Sequence, residues 1–297
     1  MFSPTKKFHK TPYPSIDPTR PELSAKGKTV IVTGGGTGIG AETAKSFAKA
    51  GASRIALLGR REQPLLDTKA MIEAEFPGAE VLAIATDMAK KNEVEAAFAK
   101  VGGKVDVLIS NAAVLGKLGN VADMSTEEFM SGIMINLQGN VNVAKTFLKY
   151  ATTNGVVVET NSAAAHLTIT GGFSSYNVAK AATARFYSSL AYEHPEMSMF
   201  SVQPGAVATA MNKEAGYKPK EEGKEAQWQG DGASVLDGYD DVSLPANFNV
   251  WLASPEARFL KGKFLWANWD VDELKARAEE LAKGPLLSFG LIGWPFA

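Results

Sequence analysis

The sequence predicts an α/β fold: one doubly wound domain, with a parallel sheet of about seven strands and helices on both faces. Three observations predict it. Short apolar runs alternate with longer helical stretches from residue 29 to residue 267. The runs are near-continuously apolar, as strands buried on both faces require. The first run, Thr29 to Thr33, opens into the glycine-rich turn Gly34-Gly35-Gly36-Thr37-Gly38-Ile39-Gly40, and a helix follows at once.

Each element has its own local reason. Residues 1–28 hold five prolines, Pro4, Pro12, Pro14, Pro18 and Pro21, and read as an extended arm along the domain surface. The domain itself spans 29–297. After the glycine turn the first helix, from Ala41, ends near Gly51, a residue suited to a helix C-terminus. Arg54 to Leu58 is the second strand and Gly59-Arg60-Arg61 its exit. Gln63 to Phe76 is helical and stops at Pro77-Gly78. Val81 to Ala85 is the third strand, leaving at Thr86-Asp87. Asn92 is the expected cap of a helix reaching Val101. Val105 to Ile109 is the fourth strand, leaving at Ser110-Asn111-Ala112-Ala113. Ser125 to Tyr150 reads as one long helix, with Ser125 and Glu128 spaced as a capping box. Val156 to Thr160 is the fifth strand, Ser175 to Glu193 a helix, and Met197 to Val202 the sixth strand, leaving at Gln203-Pro204-Gly205.

The pattern weakens after Gly205. Residues 206–241 read as a substrate lid or a plain surface insertion. Leu244 to Ala253 reads as a helix, Lys263 to Ala267 as a seventh strand, and Asp272 to Lys283 as a charged surface helix. The apolar tail, 286–297, packs on its own domain or across a subunit interface.

Composition narrows the chemistry. The 297 residues carry 31 basic and 32 acidic side chains, a net charge of −1 that argues against a nucleic-acid partner. With no cysteine, disulfides, thiolate metal sites and cysteine nucleophiles are excluded. His9, His166 and His194 lie far apart in sequence, so no metal site is expected. No apolar run is long enough for a bilayer and no signal peptide precedes the domain, so the expected location is cytoplasmic.

The strand–glycine turn–helix unit is suited to a dinucleotide pyrophosphate. The helix start offers free N–H groups and a positive dipole end, and glycines let phosphates approach. Further on, Tyr176 and Lys180 stand four residues apart, on one helix face. A tyrosine ordinarily loses its proton near about pH 10, and an adjacent ammonium favours the phenolate. Such a tyrosine can serve as general acid or base. Ser162, at the exit of the fifth strand, could hold a carbonyl oxygen. Asn136, between Ile135 and Leu137, is either a local backbone contact or the anchor of a water behind Lys180.

Together these residues resemble the classical short-chain dehydrogenase/reductase family. The resemblance rests on Thr33 to Gly40, Asp87, Asn111-Ala112-Ala113, Asn136, Ser162, Tyr176-Asn177-Val178-Ala179-Lys180 and Pro204-Gly205, in the family order over about residues 26–268. The arm, Tyr13 to Pro18, and Trp266-Ala267-Asn268-Trp269-Asp270 are similar to a fungal branch linked to secondary metabolism. The resemblance implies a Rossmann-type domain and a nicotinamide oxidoreductase. It implies that Tyr176 transfers the proton, Lys180 supports it and bonds the nicotinamide ribose, Ser162 holds the substrate oxygen, and Asn136 supports a relay water. Gly34, Thr37, Gly38, Ile39 and Gly40 would hold the pyrophosphate, and Asp87 and Met88 the adenine side. Asn111 would fix the strand-four exit, and Pro204, Gly205, Val207 and Thr209 would meet the nicotinamide. Family members are often dimers or tetramers, which implies a homo-oligomer.

Two features depart from the family pattern. Ser162 lies fourteen residues before Tyr176, not thirteen, and the thirteen-residue position is Ala163. A one-residue longer loop through His166 to Gly172 restores Ser162. The strand-four turn reads Asn111-Ala112-Ala113, with alanine where glycine is usual, which is tolerated if that backbone needs no positive φ.

The cofactor choice is read at the second strand. An NAD site places a carboxylate about 20 residues past the glycine turn. Here Gly59 stands instead, followed by Arg60 and Arg61, which suit a 2′-phosphate. NADP(H) is therefore expected over NAD(H). His166, Phe173, Met211 and Tyr217 are candidates for the substrate pocket, His166 reading more simply as a satisfied or solvent-facing histidine. A hydrophobic ketone or secondary alcohol fits, with reduction the expected direction. The alternatives are an oxidising NAD-dependent alcohol dehydrogenase and a non-catalytic cofactor binder.

Overall fold

The computed structural model describes residues 3–167, 171–215 and 239–290. Seven strands form one parallel sheet: β1 (Thr29–Thr33), β2 (Arg54–Gly59), β3 (Glu80–Ala85), β4 (Val105–Ser110), β5 (Ala151–Thr160), β6 (Ser198–Gln203) and β7 (Phe264–Trp266). Their order is β3-β2-β1-β4-β5-β6-β7, with every neighbouring pair parallel. The helices are α1 (Gly38–Lys49), α2 (Glu62–Glu75), α3 (Lys91–Val101), α4 (Thr126–Tyr150), α5 (Ser174–Glu193), α6 (Ala210–Glu214), α7 (Ser243–Leu252), α8 (Val271–Ala276) and α9 (Ala278–Lys283). This is the doubly wound α/β architecture, with its order reversing between β1 and β4, where such sheets open a binding crevice.

Side-chain alternation on the strands builds two cores. Val30 and Val32 pack on one face with Phe47 of α1 and Phe248 and Trp251 of α7. Ile31, Ala56, Leu58 and Leu108 face the other way, against Phe98 of α3, Phe147 of α4 and Tyr187 of α5. Each large apolar side chain so buried contributes roughly 1.5–3 kcal/mol.

Several boundaries differ from the sequence reading. β5 starts at Ala151 rather than Val156, because Ala151 pairs with Val105 ahead of a bulge between Val105 and Val107. Asn92 does not cap α3: the helix starts at Lys91, and the cap residue, Lys90, makes no side-chain bond. Glu93 accepts the Asp87 N–H instead, at 2.8 Å. The charged stretch after Asp270 is two short helices, broken at Arg277 (φ −110°, ψ 20°). There the guanidinium pairs with Glu280 at 2.7 Å and donates to Pro4 O at 3.0 Å. The capping box of α4 forms as read, with Glu128 N–H on Ser125 Oγ and Ser125 N–H on Glu128 Oε2, both at 3.1 Å.

The described arm lies along the C-terminal part of the domain. Ile16 and Leu23 are buried in the α7-side core. His9 N donates to Asn268 O at 2.7 Å. The Tyr13 hydroxyl donates to Trp269 O at 3.0 Å and accepts the Val271 N–H at 2.9 Å. Residues 216–238 of the expected lid, and 291–297 of the expected tail, lie outside the described residues. The described start of the tail packs on its own domain: Phe264 N donates to Leu287 O at 2.7 Å, and Leu287 and Phe289 touch the core. No described helix is long and apolar enough to cross a membrane.

Candidate active site

The carboxyl ends of β1, β2, β4, β5 and β6 converge on a cavity of about 950 Å3. At its floor, Gly34 takes φ +68°, a conformation natural to glycine. Thr37 precedes α1 without a side-chain cap bond. The first-turn N–H groups, which have no intrahelical partner, are left to serve an anion at a positive helix end. Gly34, Thr37, Gly38 and Ile39 line the cavity. Gly40 is buried behind them, within the same turn. A Cβ there would stand 2.2 Å from Gly34 O. Gly40 is needed where helix meets turn, beneath the ligand surface.

The turn is tied to β4. Asn111 Nδ2 donates to Thr33 O at 3.0 Å, and Thr33 Oγ1 accepts the N–H groups of Asn111 at 2.9 Å and Ala112 at 3.0 Å. Neither Ala112 nor Ala113 has positive φ, so alanine costs nothing where glycine was expected. Asp87 and Met88 line the cavity beyond β3. One oxygen of Asp87 accepts the Ala89 N–H at 3.0 Å. Arg60 and Arg61 line the β2 side, both exposed. Among the described residues no carboxylate stands at the exit of β2, which finishes on Gly59 and runs into Arg60 and Arg61. These residues fit a dinucleotide: a glycine turn with open N–H groups for phosphates, and two exposed cations at the end of β2.

Across the cavity, β5 and α5 bring Ser162, Tyr176 and Lys180 to one wall. Lys180 is buried, its Nζ 2.7 Å from Thr160 O and 5.8 Å from the centre of the Tyr176 ring. That bond uses one of three ammonium donors and leaves two for a ligand. Ser162 starts the short turn Ala163–Ala165, and its Oγ accepts the Ala164 N–H at 3.2 Å. The hydroxyl proton remains to be donated.

Asn136 is committed to the fold. Its Nδ2 donates to Val114 O at 2.9 Å and Gly132 O at 2.8 Å, and its Oδ1 accepts the Val114 N–H at 3.0 Å. Of the two roles read from the sequence, the side-chain geometry matches the local backbone contact, and the amide holds the segment after β4 in place. Pro204, Gly205, Val207 and Thr209 line the cavity after β6. Two residues that the sequence reading missed pin this loop. Asp240 accepts the N–H of Ala206 at 2.8 Å and the Nδ2 of Asn268 at 3.0 Å. Burial pushes the Asp240 carboxyl above the usual carboxylate range.

Phe173 and Met211 line the cavity as read, joined by Leu115, Leu167 and Trp266. His166 is not in the lining. It is partly exposed, accepts from Trp266 Nε1 at 3.2 Å and meets Phe264 edge-on. Burial holds its imidazole below the usual histidine value. Tyr217 lies outside the described residues.

A nucleotide-binding crevice beside a tyrosine–lysine pair defines an oxidoreductase-type site, and similarity agrees. The short chain dehydrogenase family profile matches residues 28–220. A short chain dehydrogenase/reductase of Claviceps purpurea is 35% identical over 294 residues, covering 97% of this chain and 94% of its own. Short chain dehydrogenase citE of Monascus ruber is 31% identical, covering 98% and 97%. Among solved structures, a Burkholderia cenocepacia short chain dehydrogenase in complex with NADP aligns with a TM-score of 0.70 at 24% identity, covering 84% of this chain and 99% of that one. An NADPH-dependent 3-quinuclidinone reductase from Rhodotorula rubra aligns at 0.71 and 24%, covering 87% and 95%, and both support the fold. The chain belongs to the short-chain dehydrogenase/reductase family.

Proposed function

We propose that this protein reduces a hydrophobic ketone to a secondary alcohol with NADPH. The observation that carries the reading is one cavity uniting the glycine turn of β1 with Ser162, Tyr176 and Lys180. Bound NADPH would supply the hydride for the carbonyl carbon. Tyr176 gives its phenolic proton to the carbonyl oxygen, and Ser162 donates a hydrogen bond to the same oxygen. Lys180 stands behind the tyrosine, stabilises the phenolate left there, and has donors spare for the nicotinamide ribose. Asn136 acts as a positioning residue through Val114. Gly34, Thr37, Gly38 and Ile39 hold the pyrophosphate, Asp87 and Met88 the adenine, and Pro204, Gly205, Val207 and Thr209 the nicotinamide. Arg60 and Arg61 select the 2′-phosphate, a reading supported by the absence of a carboxylate at the end of β2.

The apolar lining, Leu115, Leu167, Phe173, Met211 and Trp266, supports a hydrophobic substrate. We assign residues 1–28 to an arm and 29–297 to one catalytic domain. Homo-oligomer formation through α4 and α5 is part of the proposal. It is supported by Met130, Met134 and Val178, which are 41%, 47% and 45% exposed on those helices. A cytoplasmic place in fungal secondary metabolism completes it, on the likeness to the fungal relatives.

The test is NADPH oxidation with benzil, acetophenone and ethyl acetoacetate, comparing wild type with Tyr176→Phe. Loss of the general acid should lower kcat by about 10²–10⁴-fold. Wild-type turnover by Tyr176→Phe would remove the proton-transfer assignment. Oxidation of the matching alcohols with NAD+ in preference to NADP+ would favour the dehydrogenase alternative.

A further inference from the structure

Beneath the candidate site lies a charged residue that its chemistry leaves unused. Glu159, near the end of β5, is fully buried between β4 and β6 in a parallel sheet. Both its carboxylate oxygens face Asn161 Nδ2, at 2.9 and 2.8 Å. Thr183 Oγ1 of α5 lies 3.3 Å from Oε1, and Ser201 of β6 also bonds the carboxyl. Removing such a group from water costs several kcal/mol unless partners satisfy it, so its retention here calls for a physical role.

Asn161 supplies the connection. Its Oδ1 accepts the Ser162 N–H at 2.8 Å. Because a backbone N–H can only donate, that contact fixes which end of the amide is oxygen. Nδ2 is thereby turned on to Glu159 and also on to Lys180 O, 3.1 Å away. Lys180 Nζ reaches back to Thr160 O. Three consecutive residues, Glu159, Thr160 and Asn161, thus bond the helix carrying Tyr176 and Lys180, and Asn161 joins Ser162 to them. Two of the bonds meet Lys180 itself, one at its carbonyl and one at its ammonium.

We propose that Glu159 and Asn161 are positioning residues, which hold Ser162 in register with Lys180 and Tyr176 for proton transfer. The inference rests on the catalytic reading above. Asn161 is the joint, with one end on the serine backbone and the other on the lysine backbone. Glu159 is the buried acceptor that holds the amide in that orientation. Ser201 extends the anchor to β6, so the register is referred to the sheet rather than to the mobile end of a side chain.

The experiment uses the full chain, NADPH and the same three ketones, with NADPH affinity read by fluorescence titration and folding by thermal melting. Glu159→Gln, the conservative variant, keeps an acceptor for Asn161 and a donor for Ser201 or Thr183. It should hold kcat within about twofold of wild type. Glu159→Gln/Asn161→Ala removes the joint without leaving a buried charge unpaired. Its kcat should fall by about ten- to a hundredfold, the scale of a small misplacement of reacting groups, with NADPH affinity within about twofold. Asn161→Asp is the second variant. It keeps the Ser162 bond but presents an acceptor to Lys180 O and Glu159, and the same loss of kcat is expected. A folded double variant with wild-type kcat and only a lowered melting temperature would overturn the inference. Full turnover by Tyr176→Phe would instead overturn the catalytic reading, whatever these variants do.

Discussion

Gly40→Ala should damage the protein out of proportion to one methyl group. The added Cβ would stand 2.2 Å from Gly34 O and 2.7 Å from Asn111 Nδ2. The obstacle is main chain, and it cannot swing away. Gly34 N is held on Leu58 O at 2.7 Å, and Asn111 on Thr33 O at 3.0 Å. Relief needs a shift of about 1 Å in the whole turn, so the cost belongs at the upper end of overpacking penalties, about 3 kcal/mol. For a chain of this size that lowers the melting temperature by about 6 °C. NADPH binding should weaken by more than about tenfold, since the displaced turn presents the phosphate N–H groups. Two companions calibrate the effect. Gly38→Ala meets only Thr209 Cγ2, at 3.3 Å, but must adopt φ +55°. That is worth about 1–2 kcal/mol, or 2–4 °C. Gly78→Ala meets nothing within 4 Å and should stay within about 0.5 kcal/mol of wild type. Calorimetry and fluorescence titration read all three. If Gly40→Ala melts within about 1 °C of wild type, the steric reasoning is refuted.

Arg60→Ala should lower the preference for NADPH over NADH in kcat/KM by about five- to twentyfold, since an exposed arginine–phosphate contact is worth about 1–2 kcal/mol. An unchanged ratio would remove Arg60 from cofactor selection. Tyr13→Phe leaves the buried Val271 N–H without its 2.9 Å acceptor and should cost about 2 kcal/mol, or about 4 °C in melting temperature. Unaltered melting would mean that the arm contributes nothing there. Burial raises the Glu159 carboxyl even though Lys180 opposes it. The native state then binds a proton more tightly than the unfolded chain, so wild type loses stability as pH climbs above the unfolded value of about 4.3. Glu159→Gln lacks this loss, and its melting temperature should gain on wild type from pH 4 to pH 7. A constant difference across that range would refute the assignment.

What could be read from the sequence was set by periodicity and by short spacings. Near-continuous apolar runs located all seven strands, and the three-residue spacing of Ser125 and Glu128 located the start of α4. The residues at the strand exits needed no contact map either, because a parallel doubly wound sheet delivers those exits to one edge. Gly40 marks the first limit. Its glycine was legible, but its reason was steric and internal, and a motif does not distinguish a glycine that meets a ligand from one that meets its own turn. The arm marks the second. Tyr13 meets Trp269 across 256 residues of sequence, and neither residue carries a local signal of the other.

Glu159 sits inside the apolar run Val156 to Thr160, and the sequence reading passed over it. Its partner Asn161 is two residues away, but Thr183 is 24 residues on, on a helix whose face toward β5 is fixed only by the packing. A charge in an apolar strand is thus a question that sequence poses and geometry answers. Here the answer links that charge, through one amide, to the backbones of Ser162 and Lys180, the residues proposed for proton transfer.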